Sequence, residues 1–341
     1  MKKRLPLYEV AKAAKVSPAT VSRIAAGNSA VNSEVREQVL KTAAAMGIDL
    51  QERRNNKNRT VAFLLGNREV LHSFQSRILS GAESYCSAHG WEMLFLSFRY
   101  SARVSTRELH LPHILSRGTS VRGIIVGGTN SANLLEVLHE RGIPFTVLGN
   151  NVTGEWEQEG VDAVYSDDRN GAYEATRHLI AGGHRHIGFV GNLQLPWFRR
   201  CGEGYHQAMT EASLPLRSME ILSDGQELGY LATKSLLNQQ PAVTAILAGS
   251  DQVAKGVYTA LRESNLSIPQ DVSVIGFNDT EAPLFYPPLS SVREFPQELG
   301  RHLAEFLLNR IEKPSLPSQR RTIPTQLVLR DSVRPLREPA E

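Results

Sequence analysis

Residues 7 to 46 hold a short helical segment built around Ser17–Ile24, SPATVSRI, and it constrains the chain more than any other stretch. It reads as helix, tight turn, helix. In the first helix Tyr8, Val10, Ala11 and Ala14 carry an apolar stripe, and Val16 and Ser17 form the break. The Ser17 hydroxyl suits an N-cap, because it can accept a backbone N–H that has no partner within the helix. Pro18 suits the first helical position, where no N–H is needed. Val21 and Ile24 are three residues apart, share a face and pack inward. Thr20, Ser22 and Arg23 then fall on other faces, where polar groups can meet a duplex. Asn32 is placed to cap a third helix, in which Val35, Val39, Leu40 and Ala43 keep the helical period. This is the layout of a helix-turn-helix, whose second helix enters the major groove.

Two amphipathic helices and a turn are common, and charge decides between a DNA-binding unit and an inert bundle. Residues 1 to 59 hold 12 Lys and Arg against 5 Asp and Glu, a net charge of +7. The whole chain is +3, so the remaining 282 residues carry −4. A basic head on an acidic body is the electrostatic footprint of a DNA-binding headpiece. At 341 residues, 41% hydrophobic and 21% charged, the chain has room for two or three domains of ordinary globular composition. No apolar run approaches the roughly 18 residues of a membrane span. The start lacks the apolar core of a signal peptide. Cys86 and Cys201 are too few for a disulfide framework and fit a reducing compartment. A cytoplasmic protein without metal or cofactor is the expectation.

The pattern collapses after Gly47. Residues 49 to 59 are polar and basic and read as a linker lying near the phosphate backbone. From Thr60 short apolar runs alternate with helical patterns. The strands are expected at 61–65, 92–98, 123–128, 145–149, 163–167, 187–191, 245–249 and 272–277. Helices are expected at 74–89, 131–141, 170–182, 226–238, 251–265 and 296–310. Repeated βα units imply parallel sheets with right-handed crossovers, here in two similar lobes, and ligands at the carboxyl ends of the strands. The fold class is therefore α/β: a helix-turn-helix headpiece over residues 1–48, a hinge over 49–59 and a two-lobed core over 60–341. Asp167, Asp224, Asp251, Asn278 and Asp279 follow strands and point to one cleft. Capping is the commoner use of a single Asp at such a place, and Asp251 and Asp279 are placed for it.

Three stretches resemble the lactose repressor family of bacterial transcription regulators: LYEVAKAAKVSPATVSRIAAGN with VREQVLKTAAAMG, then DDRNGAYEATRHLIAGGHRHIGFVG, then the run from Ser250 to Glu294. The resemblance covers nearly the whole chain. It implies a core similar to periplasmic sugar-binding proteins, a homodimer on palindromic double-stranded operator DNA, and a small carbohydrate effector between the lobes. Pro18, Ala19 and Arg23 match base-reading positions, and Thr20 and Ser22 match backbone contacts. Ser17 and Asn28 complete the DNA-binding set in the headpiece. In the core, Phe74, Asp167, Trp197 and Asp251 match effector-cleft positions.

The departures also carry information. The family's hinge places a Leu in the minor groove, whereas ERRNNKNR offers none, so Arg53, Arg54 or Arg59 is left to meet the groove or the phosphates, with Leu50 as the remaining apolar wedge. The family's turn glycine is Lys15, in a left-handed position that strains a side chain slightly. Cys201 stands where the family has an effector-contacting Arg; Arg200 beside it suits an anionic group such as a sugar acid or phosphate. Asp224 replaces an aromatic residue. Trp197 offers an apolar face to a sugar ring.

Three rival readings stand beside this one. An enzyme lacks a nucleophile elbow or P-loop, although Asp167 with Asp251 would mimic a glycosidase pair, and it leaves the basic head unexplained. A solute-binding protein shares the core but not the helix-turn-helix. A regulator answering to a protein partner, or to no ligand, stays open because of Cys201. His184 and His186 flank Arg185 and read as partly solvated residues leading into a strand, with no third metal ligand nearby.

Overall fold

The computed structural model describes residues 7–25, 31–48, 50, 59–68, 72–116, 121–156, 159–219, 221, 223 and 225–336. Asn28, Arg53, Arg54 and Asp224 lie outside the described residues. The chain begins with helices α1 (Leu7–Ala13), α2 (Pro18–Ala25) and α3 (Ser33–Ala45). Val10, Ala11, Ala14, Val21, Ile24, Val39 and Ala43 are buried among one another. Tyr8, expected in that stripe, is 66% exposed and lies off it. Ser17 Oγ accepts from Thr20 N at 3.1 Å and opens α2, and Asn32 Oδ1 accepts from Glu34 N at 2.8 Å and opens α3. Lys15 takes the left-handed conformation the turn demands, at φ 54°. Leu50 is buried in this small core, so its side chain is engaged in packing and is not an available wedge.

Residues 60 to 336 form two α/β lobes. The first sheet runs β2 (Glu92–Phe98), β1 (Thr60–Gly66), β3 (Ile124–Gly128), β5 (Phe145–Leu148), β7 (Asp162–Ser166) and β13 (Arg320–Ile323), all parallel. A two-strand pair, β4 (Asn130–Ser131) and β6 (Val152–Thr153), stands beside it. Helices α4 (Ser73–Ala88), α5 (His113–Ser116), α6 (Ala132–Glu140) and α11 (Pro296–Glu312) belong to this lobe. The second sheet runs β9 (Ser218–Met219), β8 (Ile187–Val190), β10 (Ala245–Ala248), β11 (Ser273–Asn278), β12 (Ser290–Arg293) and β14 (Gln326–Val328), with β14 antiparallel. Helices α7 (Asp168–Ala181), α8 (Pro196–Glu211), α9 (Gln226–Leu237) and α10 (Asp251–Glu263) cover it. Central strands such as β1, β3, β8 and β10 are buried along nearly their whole length, as both-face covering requires.

The chain passes between lobes three times, at 166–168, 293–296 and 323–326, because α11 and β13 return to the first lobe and β14 to the second. Asp167 N donates to Ile323 O at 2.9 Å and Thr325 Oγ1 to Asp167 O at 3.2 Å, so the first and third crossovers are tied together. In both sheets the parallel strands point their carboxyl ends at the other lobe, which fixes where a ligand site forms. Among the described residues no helix is long and apolar enough to cross a membrane.

Helix pairs that frame the lobes meet at glycine. A Cβ on Gly81 of α4 would lie 2.1 Å from Gln297 O, and one on Gly300 of α11 would lie 1.9 Å from Ile78 O. The two backbones touch where a methyl group has no room. Overpacking against backbone oxygen outweighs the roughly 1 kcal/mol by which helices favour Ala over Gly. Gly300→Ala is therefore expected to lower the unfolding free energy by about 1–3 kcal/mol in a denaturant titration. A neutral or stabilising result would mean that α4 and α11 part easily.

Candidate functional site

The carboxyl ends of β1, β5, β7, β10 and β11 enclose a cavity of about 150 Å³ between the lobes. Its second-lobe wall is built at the start of α10. Ser250 is the N-cap, its Oγ accepting from Val253 N at 3.1 Å, so the cap expected at Asp251 belongs to its neighbour. Asp251 lines the cavity but is 2% exposed. Its carboxylate accepts from Thr280 N at 2.8 Å, Glu281 N at 3.0 Å and Ser291 Oγ at 2.9 Å. Burial pushes its pKa up, against those three donors. Its visible work is to hold the 279–281 turn, where Asn278 and Asp279 have positive φ. Asp279 caps no helix; it is paired with Arg293 and Arg330, each at 2.7 Å.

Asp167 is absent from the cavity wall, and Asp168 lines it. Both follow β7, but the crossover turns the chain so that the second carboxylate faces inward. Arg200 of α8 places Nε 2.9 and 3.0 Å from the two Asp168 oxygens and donates from Nη2 to Asn150 O at 2.5 Å. Asn150, after β5, donates to Asp168 Oδ2 at 2.7 Å and exchanges two further bonds with Ser166. Burial pushes the Asp168 carboxyl up, with Arg200 pulling against it. Arg200 is thus bound to Asp168 and stands behind the wall, rather than reaching into the cavity for an anionic ligand. Cys201, on the wall, is fully buried, and burial raises its thiol pKa well above the ordinary value. The family's guanidinium is replaced here by a neutral group.

Three other contacts span the lobes around the cavity. Arg68, beyond β1, lies over the Trp197 ring of α8, 4.8 Å from its centroid. Ser73 Oγ donates to Glu281 Oε1 at 2.7 Å. Arg77 Nη2 donates to Thr280 O at 3.1 Å. Glu281 also takes Lys255 and Gln252 as donors, and despite partial burial its pKa is held below the ordinary value by Lys255 and Ser73. Phe74, Trp197 and Phe198 supply apolar wall. Of the residues the sequence singled out, Phe74, Trp197, Cys201, Asp251 and Asn278 meet on this cavity; Arg200 supports it indirectly, and Asp167 and Asp279 do not line it.

The sequence reading missed Arg68, Asn150, Asp168, Glu281 and Glu294. Asn150 and Asp168 each lie next to a strand end and were within reach of the strand-end rule. Glu294 follows β12, whose SSVR has too little apolar character to signal a strand, although Ser290 and Ser291 are fully buried. Asp167 is not among the residues that line the cavity, so the pairing of Asp167 with Asp251 across it gains no support from the cavity wall. His184 is buried rather than solvated, with its ring nitrogens 3.0 Å from Thr244 Oγ1 and Arg334 O, and among the described residues no cluster of His, Cys, Asp or Glu is suited to a metal ion.

In the headpiece, Ser17, Pro18, Ala19, Ser22 and Arg23 are exposed and Thr20 half-buried, its hydroxyl 2.8 Å from that of Ser17. They present the face of α2 opposite Val21 and Ile24.

Residues 6–47 match the family described as bacterial regulatory proteins, lacI family, and residues 176–333 match the periplasmic binding protein-like domain. The chain is 28% identical over 341 residues to the ribose operon repressor of Haemophilus influenzae, covering 96% of this chain and 98% of that one. It is 29% identical over 349 residues to the transcriptional repressor PurR of Glaesserella parasuis, covering 97% and 99%. A solved complex of the transcriptional regulator CelR with cellobiose superposes with a TM-score of 0.71 at 26% identity, covering 96% of this chain and all of that one.

Removing the Asp251 carboxylate leaves two backbone N–H groups and a buried hydroxyl without their acceptor. Asp251→Ala is expected to lower stability by on the order of 3 kcal/mol, and Asp251→Asn, which keeps one acceptor oxygen, by less. Thermal unfolding of the full chain reads both. An unchanged midpoint in Asp251→Ala would return the carboxylate to the role of an effector contact.

Proposed function

We propose that this chain, which belongs to the lacI family of bacterial regulatory proteins, is a cytoplasmic, non-enzymatic transcriptional repressor. It binds palindromic operator DNA as a homodimer and answers to a small sugar in the inter-lobe cavity. The observation that carries this reading is the presence in one chain of an exposed recognition face on α2 and an aromatic and polar cavity between two lobes. Pro18, Ala19 and Arg23 read base edges, while Ser17, Thr20, Ser22 and Asn28 contact the backbone. Arg53 and Arg54 contribute phosphate contacts that make affinity steeply salt-dependent.

The effector is best read as an uncharged sugar. The cations close to the wall are engaged: Arg200 by Asp168, Lys255 by Glu281, and Arg68 over Trp197. Among the described wall residues, Asp168, Asp251, Glu281 and Glu294 outnumber Arg68, which disfavours a phosphate or sugar acid. Trp197 and Phe74 suit the apolar face of a ring, and the wall amides suit its hydroxyls. The relatives' names point the same way, with ribose and cellobiose among them. A thermal-shift screen of sugars against nucleobases tests the class, because a ligand stabilises the state it binds by mass action.

Arg23 sits one turn into α2, where a guanidinium can pair bidentately with guanine. Arg23→Ala is expected to cost about 1–3 kcal/mol in operator binding and to relax preference at one base pair of each half-site. Fluorescence anisotropy on operator variants measures it; uniform weakening with unaltered preference would assign Arg23 to phosphate.

The dimer contact is proposed on the second lobe at Leu284 and Tyr286, which are 85% and 96% exposed. Their segment is held from beneath by Tyr258, which donates to Pro287 O at 3.1 Å and packs edge-on against Phe285. Two rigidly presented apolar side chains in water mark an interaction surface, and a palindromic operator calls for a second copy. The double substitution Leu284→Asp and Tyr286→Asp should yield a monomer by sedimentation, with the protomer still folded by circular dichroism. A persistent dimer would move the interface elsewhere.

A further inference from the structure

One carboxyl of the cavity wall has no role in the reading above. Glu294 lies in the second crossover, between β12 and α11, is 7% exposed and lines the cavity. The Asn278 side-chain amide, at the end of β11, donates to its Oε2. Ser166, at the end of β7, lines the same cavity from the first lobe. The carboxyl thus sits where the chain pivots between the lobes.

The charged groups around it are few. Asp168 of α7 and the buried Cys201 thiol face it from the cavity side, with Arg200 of α8 behind them. On its other side a hollow of about 220 Å³ carries Arg77, Asp279, Arg293 and Glu298. Arg293 pairs with Asp279, Arg77 donates to Thr280 O, and Arg200 binds both oxygens of Asp168. Among the described residues no salt bridge reaches Glu294. Asp168 shares both its oxygens with the Arg200 guanidinium, whereas Glu294 has no such partner among the described residues, and two buried negative charges side by side are unfavourable.

We propose that Glu294 is a specificity-determining contact of the effector cleft, meeting the effector as a neutral acid that donates its proton to an effector oxygen, so that binding brings a proton into the cleft. The proposal rests on the small-molecule reading. Burial, with the Asp168 charge, pushes this carboxyl up to about 7, against the hydrogen bonds of Ser166 and Asn278. An uncharged ligand expels water and adds no charge, so it raises the value further. The complex then holds a proton that the free protein has begun to lose. Affinity is full below about pH 7 and falls as pH rises through that value, by up to about tenfold per pH unit, until the higher value of the complex is passed.

The test is calorimetric titration of the full-length protein with D-ribose and with cellobiose, between about pH 6 and pH 8.5, in two buffers of different ionisation heat. Wild type should take up protons on binding above neutrality and weaken with pH. Glu294→Gln, isosteric and unable to titrate, should bind without proton uptake and with a flat profile. Glu294→Asp should regain the pH dependence with weaker binding. Sugar binding without proton uptake, or uptake that survives in Glu294→Gln, overturns the proposal. If neither sugar binds, the sugar reading fails separately, and the infrared carboxylic-acid band of the ligand-free protein decides on Glu294. A band lost in Glu294→Gln, with its midpoint near neutrality, supports a neutral acid in the cleft; its absence at the acid end of the range refutes it.

Discussion

The bond between Asp168 and Arg200 is the interaction on which the site most depends. Asp168 opens α7 directly after the first crossover, Arg200 projects from α8, and both reach Asn150 in the other lobe. A pair this buried is a weak source of net stability, because taking two charges out of water costs about what their attraction returns. Its effect is specificity of geometry. Nε of the guanidinium meets both carboxylate oxygens within the second lobe, and the bonds of both groups to Asn150 tie that pair to the first lobe. It also sets the electrostatics nearby: with Arg200 committed to Asp168, acidic side chains outnumber Arg68 among the described wall residues, and no salt bridge among the described residues reaches Glu294.

Crossing three times between lobes makes such an arrangement possible. Each crossover delivers a residue to the pivot, and Asp168, Glu294 and Thr325 all come from these short segments. A ligand between the lobes therefore touches residues whose backbones belong to the hinge itself. That differs from a site on loops hung from a rigid body, where occupancy need not alter domain geometry.

Much of this was legible in the sequence, for identifiable reasons. The strand expected at 92–98 is β2 to the residue, and the central strands 187–191 and 245–249 end within one residue of their boundaries, because continuous burial gives continuous apolar runs. The helix-turn-helix was legible because capping chemistry and a three-residue apolar spacing coincide at Ser17–Ile24. What escaped lies where pattern and environment part. The helix over 196–211 was not foreseen, since WFRRCGEGYHQAM mixes glycine with charge; Gly204 is there because a Cβ would lie 2.0 Å from Arg169 O. Strand β12 buries serines that hydrogen-bond to Ser332 and Asp251 instead of packing apolar side chains. At the cleft, the difference between Asp167 and Asp168 is one residue of backbone turn, which no periodicity records. Arg200 reads in sequence as a ligand grip because its partner is 32 residues away.

Control of DNA binding requires that a ligand favour one lobe arrangement over another by free energy, and the contacts across the cleft set the scale. Coupling in such proteins is typically about 1–3 kcal/mol. Across this cleft the Arg68–Trp197 contact contributes about 0.5–2 kcal/mol according to its hydration. The Ser73–Glu281 and Arg77–Thr280 bonds add about 1 kcal/mol each. Together these come to about 2.5–4 kcal/mol, the same scale as that coupling, so a ligand that gains two or three hydrogen bonds in one arrangement and loses them in the other is enough to redistribute the lobes. Arg68, Ser73 and Arg77 all come from the segment between β1 and the middle of α4, and β1 is the strand that follows the linker from the headpiece. The first lobe thus carries both these cleft contacts and the strand that comes first after the headpiece helices in sequence.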